Sequence, residues 1–332
     1  MNSIFEEYIW CLAHDIINEN EELKRKYMKE QMNINKITVA GCGTMGHSMA
    51  QIFARKGFSV ILWNHSSAGL EKAASKIAPE LLKSIELTED YSAFSSRDLI
   101  IECISENMEL KQDFFRKISP MADDNCIIAT NTSGLSINKL STAVKNPERF
   151  LGMHWWNPPA LIPLIEIINS EKTSKDVTEA IRSLCLALDK KPAVVKKDVP
   201  GFAGNRIQLA VIREIMSMLD QDVIDMEDVD NVMKYGLGIR WACIGQLESL
   251  DLGGIDIFYR ISEYLMPDLE NSPDIPGLLR EKYEKGEYGI KTGKGFYSYP
   301  DGKAAEAVES RNRKLEAVLK ALYGDTEERQ EQ

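Results

Sequence analysis

One hexapeptide restricts what this chain can fold into more than any other feature. Gly41-Cys42-Gly43-Thr44-Met45-Gly46 directly follows an apolar run, Ile37-Thr38-Val39-Ala40, and opens a helix-forming stretch that continues through Gln51 to Lys56. In a G-x-G-x-x-G loop set between a strand and a helix, each glycine has its own task. The first permits a tight turn, the second lets a ligand approach backbone N–H groups, and the third lets helix and strand pack closely. The helix N-terminus adds free amide donors and the positive end of its dipole, which together favour an anion. A lone match to this spacing is unspecific. In its strand-loop-helix setting it predicts a dinucleotide pyrophosphate site at Gly41, Gly43, Thr44, Met45 and Gly46.

The surrounding pattern agrees. Short apolar runs at 37–40, 59–63, 99–103 and 127–129 alternate with helical stretches, which reads as β-α-β units and a parallel sheet. Runs at 151–154, 164–168 and 193–195 extend the same sheet. Beyond Pro200-Gly201 the segments are long, helix-periodic and poor in strands. The expected architecture is therefore α/β, a Rossmann-type doubly wound sheet domain over residues 34–199 followed by a smaller all-α domain over 200–332. Ahead of both, Ser3 stands three residues before Glu6, and Phe5, Ile9, Leu12 and Ile16 recur at helical spacing, so residues 1–33 read as an N-terminal helical extension.

Charge narrows the partners. Forty Lys and Arg against 51 Asp and Glu leave a net charge of −11, which repels nucleic acid and anionic lipid, so a phosphate-bearing ligand needs local donors. No stretch approaches the roughly 18 apolar residues of a membrane span, and the first 30 residues lack a secretory apolar core. The six cysteines are scattered without a C-x-x-C pair, which argues against a zinc site or a disulfide framework and fits a reducing cytoplasm. No metal is expected.

At the end of the second run, where NAD-binding folds usually place an acidic residue against the ribose 2′-hydroxyl, this chain has Asn64. A neutral Asn removes the repulsion toward a 2′-phosphate, and His65, Ser66 and Ser67 offer donors, yet the loop holds no Arg. Both NAD(H) and NADP(H) stay open.

The chemistry is written at 151–167. Leu151-Gly152-Met153-His154-Trp155-Trp156-Asn157-Pro158-Pro159 is followed by Ile162-Pro163-Leu164-Ile165-Glu166-Ile167. Hydride transfer at a secondary alcohol needs a group that takes the hydroxyl proton near neutral pH, and His supplies it. A carboxylate beside it fixes the tautomer and stabilises the imidazolium. Taken singly, His154 reads as a structural histidine and Glu166 as a strand-end charge. Together they read as a dyad, because a carboxylate among Leu164, Ile165, Ile167 and Ile168 is costly to bury unpaired.

This stretch resembles the 3-hydroxyacyl-CoA dehydrogenase family, and with the flanking motifs the resemblance covers about residues 33–300. It implies His154 as general acid/base and Glu166 as the residue that holds the imidazole. In Asn131-Thr132-Ser133-Gly134-Leu135-Ser136 it implies that Ser133 contacts the substrate oxygen or the nicotinamide, with Asn131 on the cofactor side. In Asp198-Val199-Pro200-Gly201-Phe202-Ala203-Gly204-Asn205-Arg206 it implies that Asn205 donates to the keto oxygen as charge develops. Glu106-Asn107, with Lys111 a turn later, matches a segment bordering the cofactor's ribose and nicotinamide, and Asn157 falls on the nicotinamide side.

The order of segments after residue 200 is similar to the family's C-terminal dimerisation and substrate domain, so the resemblance also implies a homodimer and a place in fatty acid metabolism. Lys291-Thr292-Gly293-Lys294-Gly295-Phe296 joins no strand to a helix and is not a P-loop. One departure concerns the substrate. The helical arm that helps hold coenzyme A in the family is confined here to residues 65–90, with only Lys72, Lys76 and Lys83 as its basic groups. The expected substrate is a 3-hydroxyacyl group carried as its CoA thioester, such as 3-hydroxybutyryl-CoA. The alternatives are a dehydrogenase of a free hydroxy acid or an aromatic alcohol or aldehyde, and a non-catalytic NAD(P)-binding protein.

Overall fold

The computed structural model describes residues 34–324 of the 332-residue chain, so the extension expected over 1–33 lies outside the described residues. The apolar runs form strands β1 (Lys36–Ala40), β2 (Ser59–Trp63), β3 (Ile85–Thr88), β4 (Leu99–Glu102), β5 (Ile127–Thr130), β6 (Phe150–Trp155), β7 (Leu164–Asn169) and β8 (Lys191–Val195). They build one eight-stranded sheet in the order β3-β2-β1-β4-β5-β6-β7-β8. Strand order reverses between β1 and β4, and the crevice outside the carboxyl ends at such a reversal is where open α/β sheets admit a ligand.

Side chains along a strand point alternately to the two faces. Ile37, Val39, Val60, Leu62, Leu99 and Ile101 enter one core layer, while Ala40, Ile61, Trp63 and Ile100 enter the other. A sheet covered on both faces needs apolar residues at every position, which explains continuous runs such as Leu99-Ile100-Ile101. Each such residue stabilises the fold by about 1.5–3 kcal/mol when fully buried, so the central strands anchor the loops at their ends.

The covering helices are α1 (Thr44–Arg55), α2 (Ser67–Ala74), α3 (Pro79–Leu82), α4 (Met108–Ile118), α5 (Ile137–Ser141) and α6 (Lys175–Ala187). Gly46, Met49, Ala50, Phe53 and Ala54 recur at helical spacing and form the buried stripe of α1. Side-chain caps set where three helices start: Ser66 accepts from the Gly69 amide, Asn107 from Leu110 and Ser136 from Lys139.

Two features differ from the sequence reading. The short run Ile85-Glu86-Leu87-Thr88 pairs in parallel with β2 as an edge strand, inside the segment read as the helical arm. The sheet is also not wholly parallel, because β7 runs antiparallel to β6. A parallel return needs a crossover of a dozen or more residues, and the connection over 156–163 is too short to provide one. The antiparallel register sets His154 directly across from Glu166.

The chain divides into two compact units between Asn205 and Arg206. The boundary falls inside α7 (Gly204–Asp220), whose first two residues belong with the sheet. The second unit continues through α8 (Met226–Asn231), a π-helical stretch at Val232–Gly238, then α9 (Ile239–Ile244), α10 (Gln246–Gly253), α11 (Ile255–Leu265), α12 (Gly277–Glu284) and α13 (Lys303–Tyr323). The Lys-Thr-Gly-Lys-Gly-Phe run forms a tight turn there, closed by bridges from Lys294 to Gly289 and Ser298.

Candidate active site

Every residue of the site described here belongs to the unit that ends at Asn205. The glycine loop leaves β1 with Gly41 at φ 107°, where a Cβ would lie 2.6 Å from the Cys103 carbonyl oxygen. A Cβ on Gly46 would lie 1.8 Å from the Gly41 oxygen. Gly43, the N-cap of α1, has no side-chain cap, and a Cβ there would meet nothing within 4 Å. Thr44 is exposed beside it and Met45 is half-buried. Tight packing on two sides and open space at the helix N-terminus suit a pyrophosphate. At the end of β2, Asn64 donates from Nδ2 to the Ser66 carbonyl (3.1 Å) and to the Ser66 hydroxyl (3.2 Å). Its carboxamide oxygen is thereby left as the acceptor for a ribose hydroxyl. These residues fit a dinucleotide.

His154 and Glu166 are both buried, on the sheet face that also carries Phe150 and Ile168. His154 Nδ1 lies 2.9 Å from Glu166 Oε2. Because the carboxylate can only accept, Nδ1 carries a proton and Nε2 is the nitrogen left to exchange one with a ligand. Gly201 and Phe202 both take left-handed backbone, at φ 74° and 54°, just before the amides of Ala203 and Gly204 donate to Glu166 Oε1 at 3.1 and 2.9 Å. The Phe202 ring packs 5.8 Å from the imidazole. Burial pushes the Glu166 carboxyl up, but hydrogen bonds from His154, Gly204 and Ala203 and the charge of a protonated His154 outweigh it and hold the group below the ordinary carboxylate range.

Ser133 sits in the exposed loop after β5, held at both of its peptide groups. Its amide donates to Glu106 Oε1 (2.8 Å), and its carbonyl accepts from Asn205 Nδ2 (2.7 Å). Asn205 and Ser133 are thus brought together, with one amide proton of Asn205 already committed. Asn131 accepts the Trp155 amide at 2.8 Å, tying the end of β5 to the end of β6. Asn157 is exposed in the connection that follows, where its peptide bond to Pro158 is cis.

Lys111, expected at the cofactor's border, is a buried partner of Glu102. It is 1% exposed, and its ammonium donates to Glu102 Oε1 (2.5 Å) and the Ile104 carbonyl (3.2 Å) and lies 3.4 Å from Glu106 Oε2 in an ion pair. Lys111 also anchors Glu106, which accepts from the Thr132 hydroxyl and the Ser133 amide.

Sequence reading missed three participants. Glu102 is fully buried at the end of β4, accepting from Lys111, Thr130 and the Ile104 amide. A carboxylate closing the apolar run Leu99-Ile100-Ile101 carries the same signal that identified Glu166. Trp156 donates from its indole to Glu166. Lys190 is buried, and its ammonium donates to the Pro159 (2.6 Å) and Ile162 (3.0 Å) carbonyls of the β6–β7 connection. Neither has a spacing that reveals its partner. Among the described residues there is no cluster of His, Cys, Asp or Glu that could hold a metal, and no helix long and apolar enough to cross a membrane.

A doubly wound sheet with a glycine-rich dinucleotide loop at its switch point and a His-Glu pair on a neighbouring hairpin defines a nicotinamide-dependent oxidoreductase. Residues 36–199 match the 3-hydroxyacyl-CoA dehydrogenase NAD binding domain and residues 201–299 the C-terminal domain of the same family. The chain belongs to the 3-hydroxyacyl-CoA dehydrogenase family. It is 38% identical over 306 residues to the 5-formyl-3-hydroxy-2-methylpyridine 4-carboxylate 5-dehydrogenase of Mesorhizobium japonicum, covering 88% of this chain and 99% of that one. It is 33% identical over 281 residues to a probable 3-hydroxybutyryl-CoA dehydrogenase of Deinococcus radiodurans, covering 80% and 100%. A crystal structure of a 5-formyl-3-hydroxy-2-methylpyridine 4-carboxylic acid 5-dehydrogenase, described as an NAD+ dependent dismutase, superposes with a TM-score of 0.84 at 37% identity, covering 88% of this chain and 99% of that one.

Proposed function

We propose that this protein oxidises and reduces a small hydroxy or carbonyl substrate that carries no coenzyme A, an aromatic or heteroaromatic aldehyde or alcohol in particular, with NAD(H) as coenzyme. The observation that carries the choice is the segment between β2 and β3. It holds two helices of 8 and 4 residues, little for gripping a CoA moiety, and the similarity to the pyridine dehydrogenase points the same way. A second reading, a 3-hydroxyacyl-CoA such as 3-hydroxybutyryl-CoA, is favoured by the matches along both domains.

The coenzyme, when bound, supplies the hydride acceptor or donor. His154 Nε2 takes the proton of the reacting hydroxyl and returns it in the reverse direction. Glu166 keeps the imidazole in the productive tautomer and stabilises it once protonated. Ser133 and the free amide proton of Asn205 face the reacting oxygen, with Asn157 on the nicotinamide side. Gly41, Gly43, Thr44, Met45 and Gly46 hold the pyrophosphate, while Glu106 and Asn131 support the nicotinamide pocket. The Asn64 carboxamide oxygen accepts from a ribose hydroxyl, and with its Nδ2 committed to Ser66 it offers a 2′-phosphate no donor, which supports NAD(H) over NADP(H). A homodimer in the cytoplasm completes the reading.

The test follows absorbance at 340 nm with NADH or NADPH and three substrates: a pyridine carbaldehyde, acetoacetate and acetoacetyl-CoA. Turnover of the aldehyde with NADH and none with the thioester is expected. Turnover of the thioester alone would overturn the CoA-free assignment in favour of the second reading.

A further inference from the structure

Glu166 accepts four hydrogen bonds, and three come from neutral groups that the acid/base chemistry does not itself require. Oε1 takes the amides of Ala203 and Gly204. Oε2 takes both His154 Nδ1, at 2.9 Å, and the indole Nε1 of Trp156, at 3.3 Å. The indole is held close. Its ring centroid lies 5.3 Å from that of His154, and a Cβ on Gly204 would lie 2.3 Å from Trp156 Cζ2, so the chain passes the ring at a distance only glycine permits. The connection carrying Trp156 is fixed in turn where Lys190 donates to Pro159 and Ile162.

Two donors on one carboxylate oxygen compete. The indole N–H draws electron density from Oε2, so the hydrogen bond that His154 Nδ1 makes to it is weaker than with Oε2 to itself. We infer that Trp156 is a positioning residue of the dyad, whose indole N–H acts through Glu166 to limit how strongly the carboxylate favours protonated His154. The inference rests on the dyad reading above. The titratable partner facing Glu166 is His154; Trp156, Ala203 and Gly204 are neutral, and Ala193 lies across from it on β8. Trp156 thereby biases the pair toward the neutral imidazole, the form that takes a proton from an alcohol.

The test compares wild type with Trp156→Phe, which keeps an aromatic ring and lacks the N–H. Titration of the histidine ring nitrogens is followed by nitrogen-15 NMR in coenzyme-free protein, alongside the pH profile of kcat. The His154 midpoint in Trp156→Phe is expected to move up by about 0.5 in pH, a threefold change in the protonation equilibrium, with the acid limb of kcat moving the same way. Trp156→Leu, which also lacks the donor, should shift it likewise, while a role in packing alone would lower melting temperature and leave both midpoints in place. An unchanged or lowered midpoint in folded Trp156→Phe would overturn the inference. The dyad reading fails separately, if His154→Ala turns over like wild type.

Discussion

Lys190 shows what a single buried residue can do to the whole stability curve. Burial pulls its ammonium down to about 8 against an ordinary 10.5, opposed only weakly by Cys185 and by Asp189, which Lys56 already neutralises. With the folded value below the unfolded one, the unfolded chain binds more protons between pH 8 and 10.5, so stability rises with pH across that window. The penalty is fully present below pH 8 and is on the order of 3 kcal/mol. Urea unfolding at pH 7.5 and 10 should therefore show a rise in wild type beyond that in Lys190→Met, and parallel behaviour of the two would exclude the buried charge. Other residues differ in how legible they were. Glu166 was identifiable because a carboxylate in an apolar run demands a partner, and the same reasoning applied to Glu102 would have found the Lys111 pair. Trp156 and the Ala203 and Gly204 amides were not identifiable, because what they touch is set by a turn and not by their own chemistry.

Elements were legible where a periodic pattern was long or its context complete. The strand, glycine loop and helix at 36–55 followed from local rules, since both faces of β1 are buried and each glycine has a steric reason. β3 was missed because it contributes four residues at a sheet edge and only Ile85 among them is buried. The antiparallel turn at β7 was readable in principle from an eight-residue connection, too short for a crossover. It was overlooked because its apolar run resembles those of the parallel strands. That hairpin matters most for the chemistry, because register alone sets His154 against Glu166.

At the scale of the molecule, the helical unit lacks a core of its own. Among its described residues the large apolar side chains that are buried are Met216 and Val229, whereas Leu247 is 79% and Tyr235 78% exposed, with Leu252, Ile255, Tyr259 and Tyr264 also open. Exposed apolar surface on this scale marks an interaction site. The homodimer proposed above would cover it with a second copy. Sedimentation velocity is expected to show one species of twice the chain mass, with a melting temperature that rises with concentration. A monomer at micromolar concentration would remove the homodimer.

The central claim is that His154, held by Glu166, moves the proton while the glycine loop holds the coenzyme. The most direct measurement is turnover by His154→Ala with NADH binding followed by fluorescence in the same samples. The account predicts a fall in kcat of about 10²–10⁴-fold, the usual contribution of a general acid/base, with NADH affinity unchanged. Wild-type turnover in His154→Ala with intact coenzyme binding would contradict it.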